Sequence, residues 1–336
     1  MHQNNKVTLR DVSRKSGVSI STISRYMNSS GYVDANTAQI IQKTIDELNY
    51  KPNKFAKSLK TDMSQQIALI IPDIINPYYA SIFSRIYELA AKDGYTVILQ
   101  EASNNEMKNI DYVDELGVDG IIFCSIYKSS ASIERLMNVG KPVVINEEYD
   151  TLIFDTLCSE YGKGIYLAAE HLIHYGHKKI GYVGGMEKSS INERRKAGFI
   201  RALQKNDLPV NQDWIFEMDF TMNAGYKAGM YFAGLDERPT AICAANDIIA
   251  MGLLMAFNEK GIKIPEDISI TGEDNIEFAK ICRPTLTTID NSSIFFANNA
   301  YEMLMDRIKK KYDGEPRKVI CPRSLIVRES TKKIDE

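Results

Sequence analysis

Cysteine is scarce and scattered in this chain of 336 residues. The five present, Cys124, Cys158, Cys243, Cys282 and Cys321, form no C-x-x-C pair and have no histidine cluster beside them. A disulfide framework and a zinc site are therefore excluded as organising features, and the pattern fits reduced thiols in a cytoplasm. Histidine is scarcer still, with His2, His171, His174 and His177 the whole complement. No Ser/His or Cys/His nucleophile set is evident, and no Walker lysine or G-x-G-x-x-G follows the Gly184-Gly185 pair, so an enzyme is not expected, and neither is a metal or organic cofactor. No stretch approaches the roughly 18 apolar residues a membrane helix needs, and the polar residues 1–5 lead into no apolar signal segment. Membrane insertion and secretion are both disfavoured.

What is present is an uneven distribution of charge. Residues 1–61 hold Lys6, Arg10, Arg14, Lys15, Arg25, Lys43, Lys51, Lys54, Lys57 and Lys60 against Asp11, Asp34, Asp46 and Glu47, although the whole chain has a formal net charge of -3. A basic head on an acidic body suits a phosphate-binding module joined to a domain with another task. The length fits a small module plus a larger body of paired lobes.

In the head, Thr8 and Asp11 are spaced as a capping-box variant ahead of a helix over 9–16, with Leu9 and Val12 on one face. Gly17 permits the left-handed turn that follows, Val18 can plug the angle, and Ser19 is a natural N-cap for a second helix over 20–27. Ile23 and Met27 are its apolar face, which leaves Ile20, Ser21, Thr22, Ser24 and Arg25 outward. Short hydroxyls and one guanidinium suit a DNA major groove, and Arg25 is the expected guanine reader. Thr22, Ser24, Asn28 and Tyr50 are expected on phosphates, which fixes register without reading sequence. A third helix over 35–48 brings Ile40, Ile41, Ile45 and Leu48 to a shared core.

From residue 65 onward, short β-branched runs alternate with amphipathic helices. Runs over 67–71, 96–99, 121–124, 143–145, 180–183, 241–244 and 268–270 are apolar enough to be buried on both faces, and helices are expected over 79–92, 164–175, 194–204 and 248–259. That is an α/β body built on parallel strands, whose ligands bind beyond the carboxyl ends of the strands. The polar residues there are Asp73 with Asn76, Tyr78 and Tyr79, then Ser125, Asn146, Gly184 with Gly185, Asn246 with Asp247, and Asp274, joined by Arg195 early in a helix. Carboxylates, amides, a guanidinium and aromatic faces suit a polyhydroxylated small molecule such as a sugar. Asp73 and Asp274 have helix capping as their alternative, Asp247 is the expected cap of its helix, and only one of Tyr78 and Tyr79 is expected to face a cleft. His171, His174 and His177 read as a surface helix end.

The segments TLRDVSRKSGVSISTISRYMN and ELNYKPNKFAKSLK resemble the head of the lactose and galactose repressor (LacI/GalR) family in order and spacing. PDIINPYYASIF, HLIHYGHKKIGYVGG, RPTAICAANDIIAMGLLMAF and GIKIPEDISITGEDN extend the resemblance through the body. It implies a small all-α helix-turn-helix head and an α/β periplasmic-binding-protein-like body of two doubly wound lobes. The implied division is a DNA-binding domain over 1–52, a hinge helix and linker over 53–64, and an effector-binding and dimerisation domain over 65–336. Within that body the N-lobe takes about 65–161 and 291–321, and the C-lobe 162–290 and 322–336. The function implied is a repressor that binds double-stranded operator DNA as a homodimer under control of a small-molecule effector, expected to be a sugar. A sugar-binding transport protein is the rival for the body alone.

By position, the resemblance adds Thr8, Ser19, Asn53, Ala56 and Leu59 to the DNA contacts, Leu59 as a minor-groove wedge in a hinge that kinks the duplex. It gives effector contact to Asp73, Tyr78 or Tyr79, Asn146, Arg195, Phe220, Asn246 and Asp274, with Phe220 either a stacking aromatic or plain packing. Three features depart from the family. Glu273 replaces the usual aromatic before Asp274, Asn146 stands where an aspartate is common, and the 101–118 stretch is short enough to put one lobe helix in doubt. No heptad pattern follows Leu325, so a dimer is expected over a tetramer.

Overall fold

Thr8 and Asp11 cap each other at the start of α1 (Leu9–Ser16): the Asp11 carboxylate accepts from the Thr8 amide at 2.9 Å while Thr8 Oγ1 accepts from the Asp11 amide at 3.4 Å. The computed structural model describes residues 7–28, 31–50, 63–102, 106–124, 130–146, 153–186 and 189–334, and the chain divides into two compact units, 1–64 and 65–336. In the first unit α1 stops at Gly17, whose φ of +68° is left-handed. A side chain there would meet nothing, so the demand for glycine is purely conformational. Ser19 Oγ accepts from the Thr22 amide at 3.2 Å and starts α2 (Ile20–Asn28). Asp34 caps α3 (Ala35–Leu48) through the Thr37 amide, and Asn49 ends it in a left-handed conformation. Val12, Ile23 and Ile41, one from each helix, are the buried centre, with Leu9, Val18, Met27, Ile45 and Leu48 packed around them. Ile40 departs from expectation and is 48% exposed. Adjacent helical positions lie about 100° apart, so Ile41 takes the inward face and Ile40 cannot.

The second unit contains two sheets. The first lobe runs β1 (Gln66–Ile71), α4 (Pro77–Lys92), β2 (Thr96–Glu101), α5 (Glu106–Glu115), β3 (Gly120–Phe123), α6 (Ser130–Asn138), β4 (Val143–Asn146) and β5 (Asp155–Cys158). The second runs α7 (Tyr161–His174), β6 (Ile180–Gly184), α8 (Ser190–Lys205), β7 (Ile215–Glu217), α9 (Met222–Ala233), β8 (Ala241–Ala244), α10 (Asp247–Glu259), β9 (Ser269–Asp274), α11 (Glu277–Ile281) and β10 (Thr287–Asp290). The chain then returns to the first lobe for α12 (Ser293–Ile308) and β11 (Lys318–Ile320), and ends in the second with β12 (Ser324–Ile326).

Strand order is β2-β1-β3-β4-β5-β11 in one sheet and β7-β6-β8-β9-β10-β12 in the other, parallel throughout except where β12 meets β10. Both sheets therefore share one doubly wound order, with its switch point beside the first strand of each lobe. Helices cover both faces, which is why Ile67, Ala68, Leu69, Ile70 and Ile71 are all buried. Three crossings join the lobes, after Cys158, after Asp290 and after Ile320.

Two expectations need correction. The strand expected over 268–270 runs Ser269–Asp274, because its register with β10 continues to the pair Asp290 and Asp274. Glu273 and Asp274 thus lie within a buried strand. The 101–118 stretch, though short, keeps its lobe helix as α5.

Candidate functional site

Two surfaces carry chemistry, one in each unit. On the head, Ile20, Ser21 and Arg25 are exposed along α2 while Ile23 beneath them is fully buried, so the core face and the free face are cleanly separated. Ser19 Oγ lies 2.9 Å from Ser21 Oγ and 2.8 Å from Thr22 Oγ1, which gathers three hydroxyls at the helix start. That end carries the positive pole of the helix dipole and suits a phosphate. Thr8 is exposed and caps α1, Ser24 is half-buried on α2, and Asn28 is the last residue of α2. Tyr50 is half-buried against the head core. Asn53, Ala56 and Leu59 lie outside the described residues, as does Ser125.

In the body, a cavity of about 330 Å³ opens where the carboxyl ends of both sheets face each other. Asp73, Tyr78, Tyr79, Asn146, Arg195, Phe220, Asn246 and Asp274 all line it. Asp73 follows β1 and accepts from the Ile75 amide at 2.7 Å, so it shapes the turn before α4, whose cap is Asn76. Tyr78 and Tyr79 meet edge to face with ring centres 5.2 Å apart. Both reach the cavity, contrary to the expectation that only one would, because they lie in the first turn of α4, where the helix end points at the cavity. Asn246, not Asp247, caps α10, with its Oδ1 accepting from the Ile249 amide at 2.8 Å. Asp247 is fully buried instead, accepting from the Ile276 amide and Thr288 Oγ1, and burial pushes its carboxyl up to about 7.

Phe220 owes its position to a glycine. A Cβ on Gly185 would lie 2.3 Å from the Phe220 ring, so the ring sits directly over the Gly185 backbone. The Gly185 amide donates to Asn192 Oδ1 at 2.9 Å, which removes it as a phosphate donor and disposes of the phosphate-loop reading of this pair. Asn146 is also largely committed: its amide donates to the Cys124 carbonyl and its Oδ1 accepts from Ser159 Oγ.

The floor of the cavity is ionic. Glu273 Oε1 accepts from Arg195 Nη2 at 2.7 Å and Nε at 3.2 Å, and from Arg323 Nη1 at 2.6 Å. Arg323 lies in the third crossing, donates to the Ser159 carbonyl in the first, and donates to Asn291 Oδ1 in the second. One guanidinium therefore ties all three crossings to Glu273. Asn291 Nδ2 in turn donates to Asp274 Oδ1 at 2.6 Å. Burial opposes ionisation of Glu273, but Arg195 and Arg323 outweigh it and hold the carboxyl below its ordinary range. At Asp274 burial prevails over Arg195, with Asp247 and Glu273 adding to it, and the carboxyl is pushed well above its ordinary range.

Reading strand ends missed Glu101, Tyr161, Asp219 and Asn291 in the lining. Asn291 and Tyr161 sit at the crossings, which carry no hydrophobic pattern. His171 and His177 are buried rather than on a surface helix end, bonded to Thr331 and to Thr240 and Ser269, because the C-terminal segment covers them. Among the described residues no cluster of His, Cys, Asp and Glu could hold a metal, and no helix is long and apolar enough to cross a membrane.

Comparison with known proteins follows this division. Residues 8–53 match the model for bacterial regulatory proteins of the lacI family, and residues 169–331 match that for a periplasmic binding protein-like domain. The chain is 34% identical to the HTH-type transcriptional repressor PurR of Pasteurella multocida, over 97% of this chain and 98% of that protein. Among solved structures, the lac repressor dimer bound to operator and the anti-inducer ONPF is similar at a TM-score of 0.85 and 25% identity, covering 98% of this chain and all (100%) of that one. A LacI family transcriptional regulator from Enterococcus faecium with bound ribose is similar at a TM-score of 0.73 and 29% identity, covering 80% of this chain and 100% of that one.

Proposed function

The chain belongs to the LacI family of bacterial regulatory proteins, and on that premise we propose that it is a repressor whose hold on operator DNA is set by a sugar bound in the cleft of its body. The observation that carries this reading is α2, whose exposed Ile20, Ser21 and Arg25 lie over a buried Ile23. Arg25 reads a guanine edge, Ser21 and Ile20 contact neighbouring bases, and Thr8, Ser19, Thr22, Ser24, Asn28 and Tyr50 hold phosphates. Asn53, Ala56 and Leu59 belong to the hinge by resemblance, with Leu59 entering the minor groove. A solute carrier without DNA regulation would have no use for that face.

The sugar reading is supported by the chemistry of the lining. Asp73, Asp274, Asn246 and Arg195 offer hydrogen-bonding groups for vicinal hydroxyls, and Phe220 and Tyr161 offer aromatic faces. The Enterococcus relative holds ribose. Ligand closes the lobes on one another through the three crossings, and closure alters the fit of paired heads to the operator. Ligand and DNA are then linked by one coupling free energy of about 1–3 kcal/mol. Pairing of heads calls for a homodimer. It is supported by the similar lac repressor, whose structure is of a dimer bound to operator.

The test is site selection from random duplexes by the purified protein, followed by fluorescence anisotropy on the selected site with and without sugars. Failure to enrich any sequence would refute the DNA reading, and selected sites indifferent to every sugar would refute the effector.

A further inference from the structure

Among the described residues the cleft has one cation in its lining, and Glu273 neutralises it. Among the described lining residues the ionisable carboxyls are Asp73, Glu101, Asp219 and Asp274, and Arg195 is the sole Lys, Arg or His. A free guanidinium edge at such a place would grip a phosphate or carboxylate through two parallel N–H groups. Here Nε and Nη2 of Arg195 both donate to Glu273 Oε1, with the two side chains 7% and 0% exposed. The second guanidinium nearby, on Arg323, is turned to the same oxygen and is 2% exposed.

The surroundings are shaped to keep Glu273 there. A Cβ on Gly164 would lie 2.5 Å from Glu273 Oε2 and 2.8 Å from Arg323 Nη1, so this glycine of α7 leaves the space the buried carboxylate fills. Tyr161 and Phe220 each have a ring centre 5.6 Å from the Arg195 guanidinium carbon, so two aromatic rings pack beside the cation. An incoming phosphate would find one of the two donor edges taken, the charge of the guanidinium offset by Glu273 and several carboxyls around it, in a site where water screens poorly. A neutral ligand meets none of these penalties and can still use the carboxyl and amide acceptors.

We propose that Glu273 makes this cleft selective for uncharged, hydroxyl-bearing ligands over phosphate esters and carboxylates, by neutralising Arg195 and taking up the Nε–Nη2 edge with which it would otherwise seize an anion, while the remaining N–H groups stay available to hydroxyls. The proposal rests on the cleft being the effector site, and it names the charge class of the effector. Glu273 acts through Arg195, so it is a positioning residue for specificity.

The experiment uses the full chain at fixed ionic strength. Thermal shift is measured with neutral pentoses, hexoses and disaccharides, the phosphate esters and uronic acids of the same sugars, and free purine bases. Each hit is then paired with its phosphorylated or carboxylated counterpart in calorimetry. In the native protein the neutral member binds at least about tenfold tighter than its charged counterpart, and Glu273→Gln narrows the gap by raising affinity for the charged one. The rim pair Glu101→Gln with Asp219→Asn narrows it in the same direction, which keeps the test decisive if Glu273→Gln does not fold.

The proposal is overturned if a charged member binds the native protein as well as its neutral parent, if a folded Glu273→Gln leaves the gap unchanged, if neither variant narrows it, or if no neutral compound binds at all. Anisotropy with the selected duplex on the same samples separates this from the regulatory reading. A phosphate ester that binds and changes DNA affinity removes only the charge selectivity, whereas a neutral ligand that binds without changing DNA affinity removes only the regulation. A purine base binding where no sugar does removes the sugar and leaves the charge rule standing.

Discussion

Arg323 donates from Nη1 to Glu273 at 2.6 Å and from Nε to the Ser159 carbonyl, so a residue of the third crossing holds both the cleft floor and the first crossing. The ligand-side guanidinium of Arg195 shares the same Glu273 oxygen. A ligand that moved Arg195 would therefore pull, through Glu273 and Arg323, on the crossings between the lobes. Packed ionic clusters of this sort hold discrete arrangements, and that is the property a two-state switch needs.

Asp274 should be indispensable for response yet poorly accommodated by its backbone. Its φ of +123° lies in the region that L side chains rarely adopt, and such a residue costs about 1–3 kcal/mol. Asp274→Ala loses the Asn291 contact and keeps the strain, while Asp274→Gly loses the contact and relieves it. Both variants should bind operator and ignore ligand in a mobility-shift assay, and the glycine variant should melt above the alanine one. A normal ligand response in either would exclude Asp274 from the cleft chemistry.

Gly185→Ala should act on the ligand without touching it. The new Cβ would fall 2.3 Å from the Phe220 ring, so the ring must leave the cavity wall. Loss of an aromatic face costs about 0.5–1.5 kcal/mol, which corresponds to about 2- to 13-fold in ligand affinity. Calorimetry showing unchanged affinity would mean that Phe220 packs and does not stack.

Much of this was legible locally, and what was not depends on distance along the chain. The limits of α1 follow from Thr8 and Gly17, whose capping chemistry involves partners within a few residues. Strand ends identified a set of polar residues that surround one cavity, because the doubly wound order brings the carboxyl ends of both sheets together. The role of Glu273 could not be read that way. Its partners Arg195 and Arg323 are 78 and 50 residues distant, and a carboxylate inside an apolar strand looks like an error until both are in place. Helical spacing likewise put Ile40 beside Ile41 in the core, although the spacing of two adjacent residues cannot say which faces inward.

Arg25→Ala should relax operator choice at one base pair. An arginine that reads a guanine edge contributes about 1–3 kcal/mol of discrimination, and Arg25 is exposed on the face of α2 opposite Ile23. Repeating the site selection with the variant should flatten one position of each half-site, and an unchanged preference would count against base contact.

Salt should act on the whole interface at once. Heads that neutralise about six to ten phosphates lose about a thousandfold or more in affinity between about 50 and 200 mM salt. A flat titration of log affinity against log salt would mean that the basic residues of the head do not face the duplex.

Stability should fall on mild acidification for a reason seated in the second lobe. His171 and His177 are buried against Thr331 and against Thr240 and Ser269, and burial lowers both from an ordinary 6.5 to about 4. The unfolded chain binds these protons first, so stability is fully present above about pH 6.5 and drains away as pH falls towards about 4. A tenfold difference in proton affinity between the folded and unfolded chain is equivalent to about 1.4 kcal/mol, so each histidine accounts for up to about 3 kcal/mol across that window. Denaturant melts from about pH 7.5 down to about 4.5 should show the loss in the native protein, and His177→Gln, already weakened at neutral pH, should lose less on acidification. Parallel curves for the two proteins would mean that His177 takes up its proton without unfolding, and that its buried contacts do not hold it neutral.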